Sequence, residues 1–183
     1  MTAIIRQLYI WFYALKIWQV LGILLAVFLV WVFLTIRLKG SHKSLLRVLS
    51  AGLLFVSLAV ISCVALKRNV QIREVYLQPF YKITMAQKNI EAYREALMNV
   101  ILFVPIGLSL PHILPHHWKN GKRILWTVLF GLVFSVLLES LQFVLMCGTT
   151  EADDVICNTL GALAGGLHLQ LSDFVKRYLL KEE

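Results

Sequence analysis

The chain has 183 residues, of which 59% are hydrophobic and 15% are charged, and its mean hydropathy is +0.75. A soluble domain is about 45–50% apolar and about 25% charged. The composition therefore excludes an ordinary soluble enzyme domain, a disordered chain and a solvated nucleic-acid-binding domain. The formal net charge is +8, yet residues 139–154 hold four acidic residues and no Lys or Arg.

Five apolar segments predict an all-α fold, a polytopic transmembrane helical bundle. A helix needs about 20 apolar residues to cross a hydrocarbon core about 30 Å thick. We interpret residues 1–66 as two N-terminal transmembrane helices, 67–98 as an extracytoplasmic loop and 172–183 as a cytoplasmic tail. The five segments are approximately residues 17–36, 48–66, 100–114, 124–146 and 155–171.

The loop charges predict the orientation of the bundle, because Lys and Arg in short loops favour the cytoplasmic side. Loops 37–47 and 112–123 are basic, whereas loop 147–153 has no base. We therefore expect the first two loops and the C-terminus in the cytoplasm, and the acidic loop outside. Loop 67–95 then lies outside although it holds six bases.

An amphipathic helix is predicted before the third apolar segment. Apolar residues recur there at spacings of three and four, which is the helical period. The helix is expected either along the outer membrane interface or packed against the other helices. The residues of this pattern are Ile83, Ala86, Ile90, Tyr93 and Leu97.

Polar and small residues share one helix face in the fourth and fifth segments. Because a short loop joins these segments, we expect an antiparallel hairpin in which the polar ends meet and the small ends meet. Small residues allow close helix approach. The polar ends are Glu139 with Gln142 and Asp154 with Asn158; the small ends are Gly131 with Ser135 and Gly161 with Gly165.

These polar residues predict a ligand-binding pocket in the outer leaflet. Asn99, at the outer start of the third segment, is expected at the same depth. Ionisable side chains at that depth cost about 2.5–3.5 kcal/mol on insertion scales, which favours a functional role. The alternative is hydrogen bonding between helices without a ligand. The predicted ligand-binding residues are Asn99, Glu139, Gln142, Asp154 and Asn158.

The same residues lie in motifs that resemble the VanZ-like family of bacterial membrane proteins. Residues 99–107 resemble its NxxxFxPxG motif, residues 138–143 its ExxQ helix, and residues 148–161 its acidic turn followed by DxxxNTxG. Residues 77–80 are similar to its NLxPF element, although Tyr76 stands where Asn is usual. The resemblance covers about 76–171 and leaves the first segment outside.

The resemblance implies a multi-pass protein of the bacterial cytoplasmic membrane that lowers susceptibility to glycopeptide antibiotics, chiefly the lipid-tailed teicoplanin type. We expect a non-catalytic pocket without cofactor or metal, whose partners are membrane lipids and a lipoglycopeptide or lipid-linked envelope molecule, not nucleic acid. The alternatives are an intramembrane enzyme that uses Glu139 and Asp154 as acid and base, and a proton-coupled transporter. Supporting residues are Pro79, Phe80, Pro105, Gly107, Glu151, Asp153, Gly161 and Gly165.

The remaining candidates favour structural roles. Acids are stabilised at a helix N-terminus, which is the role we expect for Asp153. His168 is predicted to be a packing or hydrogen-bonding residue, and the other histidines are predicted to lie in a cytoplasmic loop near lipid headgroups. The cysteines are predicted to be buried thiols, with a Cys147–Cys157 disulfide as the alternative. These histidines and cysteines are His112, His116, His117, Cys63, Cys147 and Cys157.

Overall fold

The computed structural model describes residues 17–41, 43–66, 74–81, 84 and 90–178. Helices dominate this part of the chain, which confirms the predicted all-α bundle. The elements in chain order are α1 (Ile17–Ser41), α2 (Lys43–Leu66), β1 (Val75–Tyr76), α3 (Ile90–Ile113), α4 (Asn120–Leu145), β2 (Thr150–Glu151), α5 (Ala152–Gly166) and α6 (His168–Tyr178).

Three helical stretches in the described part are long and apolar enough to cross a membrane: Ser44–Leu66, Ala92–Ile113 and Asn120–Leu145. The first predicted segment overlaps a shorter apolar stretch, Leu25–Leu38. The fifth is interrupted, because α5 has 15 residues and is only about 22 Å long. In the part of the chain that the structure describes, three of the five expected segments are therefore long and apolar enough to cross a membrane.

The interruption at Leu167 has a local cause. The His168 Nδ1–H donates to the carbonyl oxygen of Gly165 at 2.7 Å. Carbonyls in the last turn of a helix have no helical partner and need another donor. The His168 side chain therefore satisfies the end of α5, and α6 begins at this residue as a separate amphipathic helix.

The later part of the predicted amphipathic segment belongs to the third helix. Residues from Ile90 onward belong to α3, which runs without a break to Ile113. Tyr93 is exposed on its first turns, whereas Ile83 and Ala86 lie outside the described residues. The helix therefore continues across residue 98, where the predicted loop ends, and the earlier part of the amphipathic pattern stays a prediction.

The helix α3 contains Pro105 and Pro111, and the last turn of this helix accepts hydrogen bonds from a side chain of α4. Pro115 has no N–H, so it cannot donate to the carbonyl of Pro111 four residues earlier. The buried Arg123 guanidinium donates to this carbonyl instead, through Nε at 2.7 Å and also through Nη2. The first turn of α4 therefore holds the last turn of α3.

Close packing of α5 on α3 forms the centre of the bundle. A Cβ at Gly161 would overlap the carbonyl oxygen of Val100, and one at Gly165 would lie 2.8 Å from the Cα of Gly107. These contacts advance along both chains in the same direction, so α3 and α5 are parallel. Only glycine permits this approach of the two backbones.

This packing corrects the predicted pairing of the small residues. Gly161 and Gly165 were expected to face α4, but they contact α3. Gly131 of α4 faces Ala162 instead, since a Cβ at Gly131 would lie 2.7 Å from the Ala162 Cβ. The predicted hairpin paired α5 with α4 alone. However, α3 also carries a glycine, Gly107, at the depth of Gly165.

A short parallel strand pair closes one end of the bundle. Val75 pairs with Thr150 and Tyr76 pairs with Glu151. The Thr150 N–H also donates to the carbonyl oxygen of Glu74 at 2.9 Å. The strands therefore connect the segment before α3 to the acidic turn before α5.

The substitution Gly161→Ala tests the close packing of α3 and α5. Because the new Cβ would overlap backbone atoms of α3, we expect a loss of about 1–3 kcal/mol in unfolding free energy. Gly52→Ala is the matched control, since no atom lies within 4 Å of a Cβ placed there. Unfolding of the purified proteins in detergent measures both effects; equal stability of the two variants would contradict the packing.

Candidate functional site

The five predicted pocket residues lie together around one cavity between α2, α3, α4 and α5. Its volume is about 40 Å³. Four of the five side chains, all except Asn99, are less than a tenth exposed. The lining residues are Ile61, Val64, Ala65, Asn99, Leu102, Phe103, Leu138, Glu139, Gln142, Asp154 and Asn158.

Glu139 connects α4 to the start of α5. Its Oε2 accepts a hydrogen bond from the N–H of Glu151 at 3.0 Å, and its backbone carbonyl accepts one from Thr150 Oγ1 at 3.3 Å. Glu151 is the N-cap residue of α5. The Glu139 carboxylate therefore has a structural contact as well as a position at the cavity.

Gln142 connects α4 to the end of α2. Its Nε2 donates to the carbonyl oxygen of Ala65 at 3.0 Å. Ala65 lies in the last turn of α2, where carbonyls lack helical donors. This bond determines the orientation of the amide, because only its nitrogen can donate to a carbonyl.

Among the described residues that line the cavity, three buried polar atoms have no hydrogen-bond partner in the protein. The Asn158 amide donates to Ser135 Oγ at 2.8 Å, which leaves Asn158 Oδ1 without a donor. Gln142 Oε1 and Asn99 Nδ2 likewise have no partner. An unsatisfied buried polar group costs about 1–3 kcal/mol. The cavity therefore provides two acceptors and one donor for water or for a ligand.

The size of the cavity limits what it can hold. One water molecule needs about 10–15 Å³ of such a cavity, so about three waters or one small polar group would fit. Pockets for drug-sized ligands are about 300–1,000 Å³. A lipid tail does not fit, but Val64 lines the cavity and is 41% exposed. The cavity therefore borders the outer apolar surface of α2.

Asp153 has a role that the sequence analysis missed. Its Oδ1 accepts a hydrogen bond from the backbone N–H of Phe80. Phe80 has a φ of 64°, in the left-handed region that costs a non-glycine residue about 1–2 kcal/mol. Asp153 therefore does more than favour a helix N-terminus, since it stabilises the turn at Pro79 and Phe80.

The turn held by Asp153 exposes apolar side chains next to the acidic loop. Leu77 and Phe80 are both more than half exposed. Tyr76 does not line the cavity; its ring stacks on Tyr81 at 5.1 Å between ring centroids. Its hydroxyl donates to the Glu74 carboxylate at 2.9 Å, and this bond raises the pKa of Tyr76.

The predicted supporting residues divide into two groups. Gly107, Gly161 and Gly165 pack α3 against α5, and the Pro105 carbonyl accepts a hydrogen bond from Ser109. The others shape the acidic loop and the turn that contacts it. Glu151 in that loop accepts a hydrogen bond from Thr149 Oγ1 at 2.7 Å. None of these residues lines the cavity.

A second buried polar cluster lies at the opposite end of α3. The Nε2 atoms of His112 and His168 are 2.7 Å apart, and Thr35 Oγ1 is 3.3 Å from His112 Nε2. The prediction that His112 lies in a loop is therefore wrong, because α3 extends to Ile113 and buries it. His168 is buried with hydrogen bonds, as expected, whereas His116 and His117 are exposed.

The cysteines and metal ligands add no second site in the described residues. No disulfide joins the cysteines, of which Cys147 is buried, Cys157 half-buried and Cys63 exposed. The expectation of buried thiols is therefore wrong for Cys63, whose side chain is exposed on the surface of α2. No group of three or more His, Cys, Asp or Glu side chains could hold a metal ion in the part of the chain described.

Comparison with known proteins identifies the family. The sequence model of the VanZ/LLP1 family matches residues 23–172. The chain belongs to this family. The match begins within α1, so the family region extends further towards the N-terminus than the motifs at 76–171 indicate. Together with the three long apolar helices, membership in this VanZ family indicates a membrane protein.

One curated relative is Protein VanZ of Enterococcus faecium. It is 40% identical over 75 residues, which are 40% of this chain and 42% of the relative. The aligned region therefore spans less than half of that VanZ protein. No solved structure matches the chain.

The substitution Asp153→Ala tests the contact between the acidic loop and the Phe80 turn. We expect faster hydrogen exchange across residues 75–81, because the Phe80 amide loses its acceptor. Asp173→Ala is the control, since Asp173 accepts a hydrogen bond from Asn120 at the other end of α4. Equal exchange at 75–81 in the two variants would show that Asp153 does not hold this turn.

Proposed function

We propose that this VanZ-like protein lowers bacterial susceptibility to teicoplanin-type lipoglycopeptides, and that its polar cavity is the site of action. Family membership supports the class of function. The observation that carries the proposal is the cavity itself, where two carboxyl side chains and three polar atoms without partners meet between apolar helices.

The cavity engages a small polar group of the lipid-tailed antibiotic, or of an envelope lipid. Its volume of about 40 Å³ excludes the tail. The tail lies along the outer apolar surface, where Val60 and Val64 of α2 are exposed. The charge pattern of the loops supports a cavity that faces the outer leaflet.

Binding protects the cell wall precursor without changing it. The antibiotic is retained or excluded at the membrane surface, and no covalent step is required. The described residues that line the cavity contribute no hydroxyl or thiol nucleophile. In the alternative, where Glu139 and Asp154 act as acid and base, this lining supplies no hydroxyl or thiol for them to activate, which favours a binding role.

Expression of the protein in a sensitive host tests the proposal. We expect protection against teicoplanin and much less against vancomycin, because the lipid tail contributes to binding. The minimal inhibitory concentration of each antibiotic, with and without expression, measures the difference. Equal protection against both antibiotics, or against neither, would contradict the proposal.

The substitution Glu139→Gln tests the cavity directly. The amide oxygen of the new glutamine still accepts a hydrogen bond from the Glu151 N–H, so we expect the fold to be retained. The substitution removes a charge-assisted contact to the ligand that is worth about 1.5–3 kcal/mol. We expect ligand binding to weaken by about tenfold or more and teicoplanin protection to fall.

The control for Glu139→Gln is Ser140→Ala on the same helix. Ser140 is exposed and donates only to the carbonyl of its own helix at Val136. Membrane abundance is measured for both variants by immunoblot. Protection that persists in Glu139→Gln, or that falls only in proportion to abundance, would show that Glu139 has a purely structural role.

A further inference from the structure

We propose that the cavity recognises a primary ammonium group. This inference rests on the proposed function, since it names the chemistry of the group that the same cavity takes.

The first acceptor is Gln142 Oε1, whose position follows from the bond on the other side of the amide. Gln142 is 4% exposed, and its nitrogen is committed to the carbonyl of Ala65. A flipped amide would place two oxygens against each other. The oxygen is therefore buried at the cavity and requires a donor from whatever occupies it.

The second acceptor is Asn158 Oδ1. Asn158 is 7% exposed, and its nitrogen donates to Ser135 Oγ. Carboxylate oxygens of Glu139 and Asp154 on the lining supply further acceptors. A primary ammonium has three N–H donors. Two amide oxygens and one carboxylate oxygen match these donors.

The charge of the lining has the sign that a cation requires. It includes two acidic side chains, and none of the described lining residues is basic. A buried ammonium is tolerated only when it is hydrogen-bonded and paired with a negative group. Both conditions are met by the same lining, and a neutral hydroxyl would use only the first.

The size of the cavity narrows the choice of cation. A space of about 40 Å³ accommodates an –NH₃⁺ group and its carbon, but not a trimethylammonium group. The size therefore selects a primary amine over a quaternary amine, and sodium serves as the control for a response to any small cation.

Thermal unfolding of the full chain in a non-ionic detergent tests this selectivity. The probes are methylammonium, tetramethylammonium and sodium chlorides at equal ionic strength and pH 7.5. A ligand that binds only the folded state raises the unfolding midpoint as its concentration exceeds its Kd. We expect a saturable rise of about 3–5 °C with methylammonium and none with the other two salts.

The variant Gln142→Met removes the first acceptor while it keeps a side chain of similar length. We expect it to lose the methylammonium response, whereas Ser140→Ala retains it. If Gln142→Met does not fold, the comparison of the three salts on the unchanged chain still decides. An equal response to the three salts, a response to sodium alone, or no response would overturn the proposal.

The source of the ammonium is resolved by a second arm in lipid nanodiscs. A rise in the midpoint when phosphatidylethanolamine replaces phosphatidylcholine assigns the group to a lipid headgroup. A methylammonium response without this lipid effect assigns it to an amine of a non-lipid ligand such as the antibiotic. Both results support the ammonium site and differ only in its natural occupant.

Failure of this inference is distinguishable from failure of the proposed function. If the midpoint ignores methylammonium while Glu139→Gln still abolishes teicoplanin protection, the cavity functions with a different ligand chemistry. If methylammonium binds while the protein gives no teicoplanin protection, the ammonium site stands and the resistance function is wrong.

Discussion

The close approach of α5 to α3 is the contact on which the rest of the structure depends. Gly107, Gly161 and Gly165 allow the two backbones to meet, and any side chain there would overlap the neighbouring helix. The parallel contact places Asn99 beside the polar start of α5. At the other end it brings His168 to His112.

The polar cavity follows from this packing because α4 closes it from the other side. Glu139 and Gln142 each use one side-chain atom to connect α4 to another element. A network that served only to hold helices is expected to leave few buried atoms without a partner, since each such atom costs about 1–3 kcal/mol unless water satisfies it. The three unpartnered atoms at one small space therefore favour a site for a ligand.

Much of the site could be predicted from residue spacing alone. Glu139 and Gln142 are three residues apart, Asp154 and Asn158 four, and a short loop joins their helices. That spacing places all four on facing surfaces, and the NxxxFxPxG motif adds Asn99.

The predicted pairing of Gly161 and Gly165 with α4 was wrong, because a small-residue face fits any neighbouring helix that also carries glycine. The contact of Asp153 with Phe80 spans 73 residues and has no periodic signal. His112 was expected in a loop, but α3 extends to Ile113, and Arg123 donates to the Pro111 carbonyl that Pro115 leaves without a donor.

The central claim is that the polar atoms of the cavity serve a ligand and not the stability of the bundle. Asn99→Leu tests it most directly, because Asn99 Nδ2 has no partner to lose. The decisive measurement compares the unfolding midpoint of this variant with teicoplanin susceptibility at matched membrane abundance. We predict an unchanged or higher midpoint together with reduced protection; a lower midpoint with protection intact would contradict the claim.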